Sequence, residues 1–133
     1  MRLVYAAFIL LLLLMTSAQC QQTADDWLDN GNEFVGQGKY GEAIKAYDEA
    51  IRLDPTLAAA WASKGVVLYN MGKYDEAIKA CDEAIRLDPN FAAALGNKGV
   101  SLIGLGKYDE AIKAFDEAIR IDPNDADAWN NKG

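Results

Sequence analysis

Gly38–Pro55 reads GKYGEAIKAYDEAIRLDP, Gly72–Pro89 reads GKYDEAIKACDEAIRLDP, and Gly106–Pro123 reads GKYDEAIKAFDEAIRIDP. Fifteen of the eighteen positions are identical in all three copies, and each copy begins 34 residues after the last. A period of this size marks stacked supersecondary units, none of which can bury its apolar face alone. The intervening segments vary more, yet Trp27, Trp61, Leu95 and Trp129 share one position, and Gly31, Gly65, Gly99 and Gly133 recur four residues later. Three complete units and the start of a fourth are therefore expected.

Within a unit the spacing predicts two helices. From Tyr74 to Leu87 the apolar set Ala77, Ile78, Cys81, Ala84 and Ile85 steps by three and four, which lays one stripe along a helix. Asp75–Lys79 and Asp82–Arg86 place acid four residues ahead of base on the other face, the arrangement for intrahelical ion pairs. Gly72 ends the preceding helix, and Pro89 stops the following one while pushing Asp88 out of helical geometry. Thr56, Asn90 and Asn124 follow the prolines as candidate N-caps. The first helix of a unit is apolar around more of its circumference, as a helix covered on two sides must be. Helices are expected at roughly 25–36, 41–53, 58–70, 75–87, 92–104 and 109–121, with a short one from about 126.

The pattern resembles the tetratricopeptide repeat. It is carried by Trp27, Gly31, Tyr40, Ala43, Ala50 and Pro55 in the first unit and by Trp61, Gly65, Gly72, Tyr74, Ala77, Ala84 and Pro89 in the second. Leu95, Gly99, Gly106, Tyr108, Ala111, Phe115, Ala118 and Pro123 carry it in the third. The resemblance implies an all-α fold, a right-handed α-solenoid of stacked antiparallel helix pairs, with units at 24–57, 58–91 and 92–125 and a partial unit at 126–133. Arrays of this kind close with a polar capping helix. Ala126–Gly133 is either a very short cap or the beginning of a unit that continues past Gly133, and the second is expected.

Cys81 stands where the other copies have Tyr47 and Phe115. Its plain reading is a small buried hydrophobe, against a redox or tethering thiol.

Residues 1–20 differ from everything after them. Arg2 is followed by thirteen uninterrupted apolar residues, Leu3–Met15, then by Thr16-Ser17-Ala18 and the polar Gln19-Cys20-Gln21-Gln22. Charge, apolar stretch and small residues in that order match a secretory signal peptide, cleaved after Ala18 or after Cys20. An uncleaved anchor is disfavoured because a spanning helix needs about 20 apolar residues. A lipid-modified Cys20 is disfavoured because bulky Gln19 precedes it. Each version exports the rest of the chain, to the exterior, the periplasm or the envelope.

The formal charge is −7, and −8 without the first twenty residues. Such a surface repels phosphate backbones and anionic lipid, so neither nucleic acid nor a membrane surface is an expected partner. The chain has no histidine, which removes the commonest general base and metal ligand, and its two cysteines make neither a disulfide framework nor a zinc site. Gly36–Gly41 fits G-x-G-x-x-G, but no strand precedes it and the sister copies carry Asp75 and Asp109 at its third glycine. Asp122–Asp127 resembles a calcium loop without its turn glycine or its final glutamate. Glu42, Asp48, Glu76, Asp82, Glu110 and Asp116 recur with the scaffold and read as solvated faces, and Ser63 and Ser101 have no histidine to activate them. The sequence therefore points to no enzyme, no metal and no cofactor.

The resemblance further implies a concave groove lined by first helices that holds a peptide from a partner protein. On the matching positions it is lined by Asp25, Leu28, Asn32 and Val35, then Ala59, Ala62, Val66, Tyr69 and Asn70, then Ala93, Gly96, Asn97, Val100 and Ile103. The competing reading is that apolar residues there pack against the neighbouring helix instead. Family members that hold acidic C-terminal tails of heat-shock chaperones carry a clamp of Lys, Asn, Asn, Lys and Arg. Here those positions are Leu28, Asn32, Ser63, Ala93 and Asn97, so only Asn32 matches and every cation is missing. The groove is read as a nearly neutral trough suited to an apolar or neutral peptide rather than an acidic tail. A protein-interaction scaffold is the expected function, with a structural spacer or the regulatory arm of a longer chain as alternatives.

Overall fold

The computed structural model describes residues 1–18 and 21–133, with side chains described for 1–11 and 21–133. Eight helices and no strand occur among the described residues: α1 (Arg2–Ala18), α2 (Ala24–Gly36), α3 (Tyr40–Leu53), α4 (Ala58–Asn70), α5 (Tyr74–Leu87), α6 (Ala92–Gly104), α7 (Tyr108–Ile121) and α8 (Ala126–Lys132). From α2 onward every helix begins within one residue of its expected start. Each packs on its sequence neighbour, and alternate helices α2, α4, α6 and α8 also touch in succession, so the molecule is an all-α solenoid of helix pairs. Among the described residues no contact of α1 with another helix is recorded, and no helix is long and apolar enough to cross a membrane. The expected processing point involves Gln19 and Cys20, which lie outside the described residues.

Glycine makes the sharp turn inside each pair. Gly38, Gly72 and Gly106 have φ of 72°, 74° and 73°, the left-handed region that side chains resist. Around Gly38 the N–H of Lys39 donates to the Phe34 carbonyl at 2.8 Å and that of Gly38 to Val35 at 2.9 Å. The same two bonds recur around Gly72 and Gly106, closing α2, α4 and α6 with one C-terminal motif.

Between pairs the chemistry differs from expectation. Thr56, Asn90 and Asn124 are not the N-caps: the caps are Leu57, Phe91 and Asp125. Asp54 instead reaches across its proline, accepting from the Thr56 N–H at 2.9 Å and the Thr56 hydroxyl at 2.6 Å. Asp88 and Asp122 accept from the N–H of Asn90 and Asn124, each at 3.1 Å. The Asp-Pro-X turn thus satisfies itself before the helix begins, as aspartate turns do. Those hydrogen bonds hold the Asp54 carboxyl below the usual aspartate range. Indole N–H groups tie the turn to the next helix, Trp61 donating to the Pro55 carbonyl at 3.4 Å and Trp129 to Pro123 at 3.1 Å. Leu95, at the same position, has no such donor.

Inside a pair the second helix presses one buried side chain onto a glycine of the first. A Cβ on Gly31 would run into the Tyr47 ring, one on Gly99 would lie 2.5 Å from Phe115 Cε1, and one on Gly65 would lie 2.7 Å from Cys81 Sγ. Tyr47, Cys81 and Phe115 are at most 1% exposed. Pairs stack through small residues: Val67 packs on Ala43 and Tyr47, Ala94 on Ala84, and Ala128 joins the Phe115–Ala118 cluster.

The two ends of the array are unlike. Ala60 and Val67, and in the next unit Ala94 and Ser101, are buried where units meet. At the corresponding positions the first unit carries Asp26 and Glu33, both exposed. Asp26 completes a capping box with Thr23, which lowers its pKa. At the other end Tyr108 is 63% exposed, whereas its counterparts Tyr40 and Tyr74 are half-buried by the following unit.

The expected Asp82–Arg86 and Asp75–Lys79 pairs are absent among the described ion pairs. Asp82 instead binds Lys98 of the next unit at 2.7 Å, and Asp48 binds Lys64 at 2.6 Å. Asp116 binds Lys132 likewise, while Arg52, Arg86 and Arg120 pair with Glu49, Glu83 and Glu117 one turn back. The arginines of the three Arg–Glu pairs are largely solvated, the lysines of the other three are partly buried, and every pair keeps a solvated carboxylate, so each contributes on the order of 0–1 kcal/mol and serves register more than stability.

Gly99→Ala is expected to destabilise the chain by about 1–3 kcal/mol, because its Cβ meets the buried Phe115 ring. Gly41→Ala, also in a helix but with open space around it, should stabilise by roughly 0.5–1 kcal/mol. Urea melts of the two variants beside the parent measure both; equal midpoints would contradict the close-approach argument.

Candidate partner groove

Small side chains at the helix contacts bring α2, α4, α6 and α8 side by side, and their shared face forms the candidate groove. Its shape is best defined between α6 and α8, where Ala93, Gly96, Asn97 and Val100 face Asp125, Asp127, Ala128 and Asn131 across a cleft of about 240 Å³. The 34-residue register carries these positions back along the array. Asp25 and Ala59 correspond to Ala93 and Asp127, and Asp29 and Ser63 correspond to Asn97 and Asn131.

Not every expected lining residue is free to meet a partner. Ala62 is a correction: it is 6% exposed and packs on Ala84 and Ala94, because α4 and α6 approach too closely to leave its methyl on the surface. Leu28 and Val35 are half-buried against the cluster around Tyr47 and Val67. Tyr69 is half-buried beside Tyr74, ring centroids 5.6 Å apart, and Val100 leans on the Phe115 cluster while still lining the cleft. Val66, Ala59, Gly96 and Asn97 are half-buried; Asp25, Asn32, Asn70, Ala93 and Ile103 are exposed. Packing and surface are thus shared along this face, residue by residue.

Two features were not read from the sequence. Tyr47, fully buried by its ring, sends its hydroxyl to the groove floor, where it donates to Asn32 Oδ1 at 2.9 Å. Burial pushes the Tyr47 hydroxyl above its ordinary pKa, and a hydrogen bond with Ser63 pulls it partly back. The recurrence of an aromatic at 47 and 115 signals a core ring, and nothing in it signals that only the first unit adds a hydroxyl under Asn32. The second feature is charge. Asp125 and Asp127 line the cleft, so the trough is not nearly neutral: its ionisable groups at these positions are carboxylates. Extending the register through 126–133 would have found Asp127.

A larger depression, about 520 Å³, lies between α4 and α5 with Trp61, Lys64, Leu68 and Glu76 among its walls. Helical periodicity places Trp61, Lys64 and Leu68 on the side of α4 away from Val66. Lys64 sits 5.6 Å from the Trp61 ring centroid while paired with Asp48, so the chain's own cation already covers the aromatic face. The groove is therefore the better candidate.

Cys81 has no access to either depression's chemistry. Its thiol is buried, and desolvation, with Asp82 nearby adding to it, pushes the pKa from 9.0 up to about 12. Reactive cysteines need the opposite shift.

The chain matches family models described as tetratricopeptide repeat over residues 28–92 and again over 68–132. No curated protein matches it. Among solved structures it is similar to the first TPR of Spaghetti (RPAP3) bound to the HSP90 peptide SRMEEVD, at 27% identity and TM-score 0.81 over 84% of this chain and 88% of that one. It is also similar to the second TPR domain of human RPAP3 in complex with the HSP70 peptide SGPTIEEVD, at 32% identity and TM-score 0.79 over 82% and 91%. The Arabidopsis OM64 TPR domain shares the fold at 21% identity and TM-score 0.79, covering 82% and 90%.

Cys81 is expected to resist a thiol reagent at pH 8 in the native chain and to react promptly in urea. A folded thiol that ionises only near pH 12 favours the native state below pH 9.0 and loses that advantage as pH rises from 9.0 toward 12. The stability gap between the parent and Cys81→Ala should therefore shrink across that window in paired denaturation curves. A constant gap would mean the thiol is not held in a desolvated site.

Proposed function

Because this chain belongs to the tetratricopeptide-repeat family, we propose that it is a non-catalytic scaffold, exported by its N-terminal segment, that holds a peptide segment of a partner protein in the groove formed by α2, α4, α6 and α8. The observation that carries this reading is the cleft between α6 and α8: small side chains, one apolar floor residue in Val100, and backbone-sized room between two helices. Two similar structures were solved with peptides bound, which supports a peptide as the kind of occupant. Export rests on the order of charge, apolar run and small residues in 1–20.

The partner differs from those in the similar structures. Both of those peptides end in Glu-Glu-Val-Asp. Holding such a tail takes cations, and Leu28, Ala93 and Asn97 supply none where the clamp would have them. Asp125 and Asp127 beside Asn97 add repulsion. An acidic tail is therefore not the ligand.

Val66→Lys combined with Val100→Glu is expected to abolish groove-dependent partner capture from an envelope extract while the chain stays folded by circular dichroism. Lys79→Glu with Lys113→Glu, on second helices, should leave capture unchanged. Retention of the same partner by the groove variant would move binding to the convex face or favour the spacer reading.

Calorimetry with the peptide SRMEEVD should show no binding to the parent at physiological salt. Leu28→Lys, Ala93→Lys and Asn97→Arg together should create salt-sensitive binding. Micromolar binding by the parent would defeat the argument from the missing cations.

A further inference from the structure

The first helices carry an alternation that the groove reading does not use. At one register position the four units have Asp25, Ala59, Ala93 and Asp127: acid at both ends and alanine between. The structure shows that this position lines the groove, because Ala93 and Asp127 face each other across the α6–α8 cleft. Asp29 and Asp125 reinforce the two ends, the first exposed on α2 and the second within the cleft. Val66, Val100 and the exposed Ile103 occupy the middle.

Cations are present on these helices, but they are turned away. Lys64, Lys98 and Lys132 follow the groove position of Asn97 by one residue, which rotates each by about 100° around its helix. There they bind Asp48, Asp82 and Asp116 of the preceding second helices. The same ion-pair ladder that sets the stacking register therefore removes every lysine of α4, α6 and α8 from the groove. What is left facing inward is an uncharged, largely apolar centre between two acidic ends whose carboxylates form no ion pair among the described residues.

Resting on the groove reading above, we propose that the ligand is a peptide segment with an apolar centre and lysine or arginine toward both ends. Its cations sit against Asp25 and Asp29 at one end and against Asp127 at the other, and its centre covers Val66 and Val100. A groove walled by low-dielectric helices concentrates the field of its end charges, so the acidic ends select among peptides as well as attract them.

The test is selection of random peptides displayed on phage against the full chain in mild detergent at about 50 mM salt, where screening is weak. The Val66→Lys, Val100→Glu variant serves as the subtraction control. Peptides that survive subtraction should carry roughly threefold more Lys and Arg than Asp and Glu, placed outside an apolar core. For the best of them, Asp25→Asn, Asp29→Asn and Asp127→Asn together should weaken binding by about tenfold at low salt and by little at 0.5 M, with helix content unchanged. Asp125 is left intact because its carboxylate caps α8. Groove-dependent peptides that are neutral or acidic, or that bind the triple variant equally, overturn the charge proposal and leave the groove reading standing. No groove-dependent peptide at all overturns both.

Discussion

Everything in this solenoid depends on how closely two helices of a pair can lie. At each pair a glycine on the first helix, Gly31, Gly65 or Gly99, leaves the space into which Tyr47, Cys81 or Phe115 of the second helix fits. With no Cβ in the way, a buried side chain touches backbone, and interior packing density is reached without a third layer. The alanines flanking these contacts, Ala43, Ala77, Ala111 and their partners one turn on, are buried for the same reason. Small residues set the distance between the axes. Cys81 shows that the site accepts a small side chain as well as a ring, and desolvation there pushes the thiol's pKa up to about 12.

Stacking of pairs uses weaker and more varied contacts. Alanine and valine fill the space between units, while the Asp48–Lys64, Asp82–Lys98 and Asp116–Lys132 pairs bridge the rim. The ladder contributes little free energy, yet it decides which face of each first helix carries positive charge. Its consequence is an inner face stripped of cations. The ends of the array follow a related logic. Asp26 and Glu33 put charge where Ala60 and Val67 would accept a neighbour, so another unit stacking on α2 would bury two carboxylates without partners. Tyr108, by contrast, presents an apolar ring of the kind that the interior units cover.

Similarity of fold does not fix the ligand, because fold and ligand contacts reside in different positions. The glycines, alanines and prolines that build the helix pairs face inward between helices or lie in the turns. The groove positions face a ligand and can change without disturbing the scaffold. The chain keeps the first set throughout, so it superposes on TPR domains solved with acidic peptides. It departs at four of the five clamp positions, and Asp125 and Asp127 add carboxylates to the cleft between α6 and α8.

Periodicity made the helices legible because an apolar stripe stepping by three and four is written in residue types alone. The ends were equally legible, since a left-handed glycine and a proline each act within a few residues. The N-cap assignment to Thr56, Asn90 and Asn124 failed because a preceding aspartate could satisfy the same N–H groups, a competition that depends on turn geometry. Ion pairing was misread for a related reason: Asp82 has Arg86 four residues away in sequence and Lys98 of the next unit nearby in space. Burial of Ala62, the hydroxyl that Tyr47 sends to Asn32, and the facing of Ala93 and Asp127 across one cleft all arise from contacts between helices. The sequence by itself determined the repeat and the helices within it, because those rest on local spacing and residue type. Only the tertiary structure decided which charges meet each other and which are left facing the groove, because that depends on the rotation of one helix against its neighbours.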